Sequence, residues 1–121
     1  MTILITSDRL IKDVQEEFNN KFPFLKIEFF RKSYRFMPFK NKKDSLSNLL
    51  SFGKAYWKNN MGQMEITPLM TVKELENKCE EQFGILMQVY RKSGNVWLET
   101  SMTDNWTIKQ QNDQGSEITM Q

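Results

Sequence analysis

Between Phe29 and Lys43 the chain carries six cations, Arg31, Lys32, Arg35, Lys40, Lys42 and Lys43, among five aromatic residues and without a single acid. Aromatic rings stack on nucleobases while Lys and Arg meet phosphates, so this segment is a candidate nucleic-acid contact. The competing reading is a solvated basic loop whose aromatics belong to the core. That reading is preferred, because no basic-Gly-aromatic-small-aromatic string of the kind found on RNA-binding sheets occurs anywhere in the chain.

Catalysis has less to work with. The sequence contains no histidine, which removes the commonest general base and the commonest metal ligand. Cys79 falls on the apolar stripe of a predicted helix, where a thiol is a small hydrophobe rather than a nucleophile. Glu16-Glu17 and Glu80-Glu81 lie on polar helix faces. Glu76 and Glu80, four residues apart, could approach a hard cation, but no further ligand type clusters with them. The five glycines form no phosphate-binding loop. No catalytic residue, metal ligand or cofactor is therefore expected. Trp97 and Trp106, beside Gln110, Gln111 and Asn112, could line a small-ligand cleft. The favoured alternative has Trp97 packed under a terminal helix with Trp106 as a brace.

These residues are carried by a repeated element pattern. Residues 5–33 open on Ile5-Thr6 and close on Phe30-Arg31-Lys32-Ser33, and residues 66–93 open on Ile66-Thr67 and close on Tyr90-Arg91-Lys92-Ser93. The offset is 66 − 5 = 61 at the start and 90 − 30 = 60 at the end, so one residue is lost between Pro23-Phe24 and Gly84. Apolar residues at Ile11, Val14, Phe18 and Phe22, and again at Val72, Leu75, Cys79 and Phe83, are spaced 3, 4 and 4 apart, which is one stripe of an α-helix. Thr71 with Glu74 reads as a capping box. The first helix has Leu10 at that position, so its start is expected further back, at Ser7 or Asp8.

Strand-like alternation follows each helix, with Leu25, Ile27 and Phe29 against Lys26, Glu28 and Phe30, then Ile85, Met87 and Val89 against Leu86, Gln88 and Tyr90. A turn at Ser93-Gly94-Asn95 leads to a fifth strand over Val96 to Thr100. The expected fold is α+β: duplicated β-α-β units sharing one ferredoxin-like sheet, with a fifth strand and a short C-terminal helix. A β-grasp-like arrangement is the alternative. The units span 2–33 and 63–93, the connection 34–62, and the C-terminal strand and helix 94–115, all within one domain of 121 residues. Within 34–62 a short helix is expected through Leu46, Leu49 and Leu50, ended by Gly53. Another is expected from Asn105 to Asp113, stopped by Gly115, with the last six residues frayed.

If both helices cover one sheet face, the other carries Phe30, Leu86, Tyr90 and Trp97. Coverage by Leu46, Leu49, Leu50, Phe52, Tyr56, Trp57 and Trp106 is the plain expectation. A homodimer or other protein partner using Phe30, Tyr90, Trp97 and Trp106 is the sharper one. Net charge is +2, too small to argue for nucleic acid by itself. One cysteine permits no internal disulfide, and no apolar run approaches the length of a membrane span, so a cytoplasmic protein without membrane attachment is expected.

The run from Arg91 to Thr100, and Asp13-Val14-Gln15 followed by Phe22-Pro23-Phe24-Leu25-Lys26, resemble strings in small uncharacterised bacterial α+β proteins. The resemblance covers most of the chain outside 34–62. It implies a free-standing bacterial domain and transfers no activity. The functional expectation is a non-catalytic interaction or regulatory module that self-associates. Nucleic-acid binding through 29–43, and a small-ligand or enzymatic cleft near Trp97 and Trp106, are the alternatives.

Overall fold

The computed structural model describes residues 1–35, 44–55 and 62–120. The elements run β1 (Thr2–Ile5), α1 (Ile11–Lys21), β2 (Leu25–Phe30), a 3₁₀ turn (Lys32–Tyr34), α2 (Phe52–Ala55), β3 (Gly62–Glu65), α3 (Val72–Phe83), β4 (Leu86–Ser93), β5 (Val96–Glu99), a second 3₁₀ turn (Ser101–Thr103) and α4 (Ile108–Thr119). No helix among the described residues is long and apolar enough to cross a membrane.

The class is α+β, but the strands do not share one sheet. β1 pairs antiparallel with β3, and β2, β4 and β5 form a separate antiparallel sheet in that order. The first strands of the two β-α-β segments therefore pair with each other, and so do the second strands. One apolar core joins both sheets. Ile3, Ile5, Met64 and Ile66 meet the helix stripes (Ile11, Val14, Phe18; Val72, Leu75, Cys79, Phe83) and the inward residues Leu25, Ile27, Phe29, Met87 and Val89. Each is a residue that loses hydrated apolar surface on folding, worth roughly 1.5–3 kcal/mol for a fully buried aliphatic or phenyl side chain.

The helix starts explain where the rest of the chain goes. An α-helix leaves its first N–H groups without intrahelical partners. At α1 the N-cap Leu10 has no side chain to offer, and backbone carbonyls serve instead: Ile11 N–H donates to Leu50 O (3.0 Å) and Lys12 N–H to Asn48 O (3.0 Å). At α3, Val72 N–H donates to Trp106 O (3.1 Å) and Lys73 N–H to Asp104 O (2.8 Å), while the Thr71 hydroxyl accepts from Glu74 N–H (3.1 Å). Two further bonds run the other way in each half. Phe52 N–H reaches Arg9 O and Gly53 N–H reaches Ser7 O; Ile108 N–H reaches Met70 O and Lys109 N–H reaches Pro68 O. Isolated bridges at Leu10↔Ser51 and Thr71↔Thr107 complete the pattern.

Several local expectations change accordingly. Neither Ser7 nor Asp8 caps α1; the Asp8 carboxylate instead accepts from the Thr6 hydroxyl (2.6 Å). Leu46 to Leu50 form no helix, because the Asn48 and Leu50 carbonyls are committed to the α1 start, and Gly53 lies inside α2 rather than ending it. Leu46 and Phe52 enter the core, Phe52 edge-on to Phe29 at 5.3 Å between ring centroids, instead of covering the second sheet face; Leu49 and Leu50 are exposed. Tyr56 and Trp57 lie outside the described residues. The last helix begins at Ile108 and continues through Gly115 to Thr119, so neither the stop nor the frayed end is seen.

Gly115 is retained inside α4 for packing. A Cβ there would lie 2.8 Å from Phe24 Cβ and 3.2 Å from both Phe24 O and Arg91 Cγ. Overpacking of this kind costs about 1–3 kcal/mol, against a helix-propensity gain of about 1 kcal/mol. Gly115→Ala is expected to lower stability by up to about 2 kcal/mol, measured as a lower urea midpoint with unchanged slope.

Candidate functional site

Directly opposed residues of an antiparallel pair share a face. Leu25↔Arg91, Ile27↔Val89 and Phe29↔Met87 face the core side; Lys26↔Tyr90, Glu28↔Gln88 and Phe30↔Leu86 face the other. The pairing Lys92↔Trp97 and Tyr90↔Glu99 extends that second face onto β5. The expected grouping of Phe30, Leu86, Tyr90 and Trp97 on one face is therefore what the register gives. The face is not an open apolar patch. Phe30, Leu86 and Tyr90 are buried, as are the polar Glu28 (7% exposed) and Gln88 (3%) between them.

The edge of this sheet builds a cleft. β2 is the terminal strand, and its outward carbonyls are taken by side chains and loop: Leu25 O accepts from Asn19 Nδ2 (2.7 Å), Ile27 O from Gln15 Nε2 (2.8 Å) and Phe29 O from Leu46 N–H (2.7 Å). Gln15 Nε2 also donates to the Glu28 carboxylate (2.8 Å). These bonds hold α1 along the edge. The cleft between them has a volume of about 330 Å³; α1 lines it with Lys12, Gln15, Glu16 and Asn19, β2 with Lys26, Ile27 and Glu28, and Asn48 and Trp97 close it. The Lys26 ammonium lies over the rings of Trp97 (5.0 Å) and Tyr90 (5.4 Å), a cation–π arrangement that fixes a positive charge against an aromatic wall.

A smaller cleft of about 130 Å³ flanks the other side of the face, lined by Glu76, Asn77, Glu80, Leu86, Met87, Gln88 and Arg35. Six of these seven correspond to residues of the first cleft at the repeat offsets: Gln15 + 61 is Glu76, Glu16 + 61 is Asn77, Asn19 + 61 is Glu80, and Lys26, Ile27 and Glu28 + 60 are Leu86, Met87 and Gln88. The chemistry at matching positions differs. Where Gln15 donates to a β2 carbonyl, Glu76 Oε2 accepts from Val89 N–H on β4 (3.0 Å).

Of the residues picked out from sequence, Arg31 and Lys32 are exposed at the start of the first 3₁₀ turn, whereas Arg35 is ion-paired with Glu80. Lys40, Lys42 and Lys43 lie outside the described residues. Trp97 and Trp106 are not brought together. Trp97 is on the Lys26 face, while Trp106 stacks with Arg91 (5.5 Å), whose side chain is on the core side and donates to Gln111 Oε1 (2.8 Å). The cleft beside Trp97 does not have Trp106 among its lining residues; Trp106 lies against Arg91 instead. Sequence reasoning missed Gln15, Asn19 and Lys26 as cleft residues. The available signal was two amides four apart on a helix, which is the spacing needed to cap alternate carbonyls of an edge strand.

Burial pushes the Cys79 thiol well above its ordinary value, aided by the nearby Glu76 carboxylate, so the thiol stays protonated and inert. Burial also raises the Tyr90 phenol, with Glu99, Glu28 and Glu76 adding to the effect. Among the described residues no group of three or more His, Cys, Asp or Glu is arranged to hold a metal ion.

The described chain is thus an α+β protein with a two-stranded and a three-stranded antiparallel sheet, four helices and two edge clefts. No protein-family model matches it, and no significant match is found among curated proteins or solved structures.

Because the Tyr90 phenol is raised, the unfolded chain gives up this proton first as pH climbs past the ordinary value of 10, and stability falls. Tyr90→Phe is expected to flatten the alkaline fall in thermal midpoint above pH 10, whatever its effect at neutral pH. An alkaline limb as steep as that of the wild type would remove Tyr90 as its source.

Proposed function

We propose that the chain is a non-catalytic binding domain, arisen by internal duplication, that takes a small zwitterionic or polyhydroxyl molecule in the cleft between α1 and the Lys26–Trp97 side of the sheet. The observation that carries this reading is the cleft itself. About 330 Å³ is near the lower end of small-molecule sites, roughly 300–1,000 Å³. Its walls offer cations (Lys12, Lys26), carboxylates (Glu16, Glu28), amides (Gln15, Asn19, Asn48) and one indole. Groups of both signs around an aromatic ring suit a ligand with a charged or hydroxylated edge and a flat or apolar face.

The duplication is supported by register. In each of the two ladders that join the repeated segments a position pairs with its own counterpart: Ile3 with Met64, where 3 + 61 = 64, and Glu28 with Gln88, where 28 + 60 = 88. That is the signature of a twofold relation between halves. The helix-start bonds extend it beyond 2–33 and 63–93. Asn48, Leu50, Ser51 and Phe52 serve α1 as Asp104, Trp106, Thr107 and Ile108 serve α3, at a constant offset of 104 − 48 = 56. Ser51 Oγ accepts from Lys54 N–H as Thr107 Oγ1 accepts from Gln110 N–H, at the same offset.

Burial favours the cleft over the other readings. Docking a partner or stacking a base on Phe30 and Tyr90 requires exposed rings, and these are 0% and 6% exposed. Arg31 and Lys32 remain available to an anionic partner, but Arg35 is engaged by Glu80.

Isothermal titration against free amino acids and monosaccharides tests the reading. At least one should bind, with Lys26→Gln and Trp97→Ala each weakening it about tenfold, or about 1.4 kcal/mol. Absence of binding by every compound, or equal binding by both variants, would discard the cleft as the working site.

A further inference from the structure

The smaller cleft invites a more specific ligand. At the α1 edge, Asn19 and Gln15 are amides, and their NH₂ groups satisfy the Leu25 and Ile27 carbonyls of β2. Their counterparts on α3, Glu80 and Glu76, are carboxylates. An ionised carboxylate only accepts hydrogen bonds, so it cannot cap a strand carbonyl and must itself be met by a donor. Glu76 finds the Val89 N–H. Glu80 has its Oε2 atom buried and meets the Arg35 guanidinium, which arrives from the 3₁₀ segment after β2. The exchange of amide for carboxylate has therefore turned an edge-capping position into an acceptor for an incoming cation.

We propose that the cleft between α3 and the stretch of β4 that β5 does not pair is a guanidinium-binding site, which Arg35 occupies as a tethered ligand. Three features support this. A guanidinium is already seated there, on a carboxylate whose side chain is only 16% exposed, while the Arg35 side chain is 47% exposed. Withdrawal leaves the buried Glu80 Oε2 without its cation, four residues from the Glu76 carboxylate on the same helix, a strong demand for a replacement cation. The remaining wall, Leu86 and Met87 with the Asn77 and Gln88 amides, suits the weakly hydrated flat face and spare N–H groups of a guanidinium better than a compact ammonium. Because Arg35 is tethered, its effective concentration is on the order of millimolar or higher. External guanidinium compounds compete only when Arg35 is absent or drawn away by another contact.

Chemical rescue tests this. Arg35→Ala should lower the thermal midpoint by about 2–6 °C. Methylguanidinium at low millimolar concentration should restore it saturably, while methylammonium at matched ionic strength should not. The wild-type midpoint should be unmoved by either ion over that range. Arg35→Ala/Glu80→Asn, which substitutes the side chain found at position 19, should lose the methylguanidinium response and recover stability without it. Equal rescue by methylammonium would overturn the proposal in favour of general surface screening. An Arg35→Ala protein unaffected by either ion, or a rescue that persists in the double variant, would also overturn it.

Discussion

Unpartnered backbone groups organise this molecule. The opening N–H groups of α1 and α3 have no intrahelical acceptors, and the side chains before them satisfy little of the deficit. Carbonyls from a later stretch do: Leu50 and Asn48 for α1, Trp106 and Asp104 for α3. Each buried N–H left unmatched would cost on the order of 1–3 kcal/mol, so these segments are held where the helices need them. Asn48 stands at the rim of the larger cleft because its carbonyl is bonded to Lys12 N–H. Leu46 and Phe52, on either side, are drawn into the core by the same anchorage.

The second set of unpartnered groups lies along the sheet edge. β2 ends its sheet, and an edge strand with free carbonyls invites pairing with another chain. Here Asn19, Gln15 and the Leu46 N–H cover alternate carbonyls, which blunts the edge and ties α1 beside it. The space between a tied helix and a sheet face then becomes a cleft. At β4 the corresponding helix brings carboxylates, so a strand N–H and a guanidinium take the places that strand carbonyls take at β2. Two clefts lined at matching positions thus acquire different charge: mixed and lysine-bearing on one side, acidic with a resident arginine on the other.

The buried polar centre of the second face, Glu28 opposite Gln88, links the two clefts. Each residue is almost wholly withdrawn from water, and Glu28 is bonded to Gln15 at the floor of the larger cleft. Its negative charge contributes to holding the Tyr90 phenol protonated, and Tyr90 in turn lies under the Lys26 ammonium. Substitutions at Gln15, Glu28, Tyr90 and Lys26 should couple, since each sets the electrostatic surroundings of the next.

Periodicity alone determined α1, α3 and the alternation of β2 and β4, because apolar spacings of 3 and 4, or of 2, reflect which side chains leave water within one element. It also placed Leu86 and Tyr90 on one face of their strand and Cys79 in the core, while the pairing register brought Phe30 and Trp97 to that same face. The recurrence of Ile-Thr and aromatic-Arg-Lys-Ser was legible at offsets of 61 and 60, but the matching of 48–55 with 104–111 was not. In that stretch backbone carbonyls do the work, and carbonyls leave little trace in side-chain identity. Strand partnering was decided only by the tertiary structure. Local patterning says that a residue is half-buried without saying against what, so one shared sheet and two separate sheets were equally consistent with it. The same applies to Trp97 and Trp106, nine residues apart in sequence and on opposite sides of the sheet, and to the meeting of Arg35 with Glu80, which depends on long-range register.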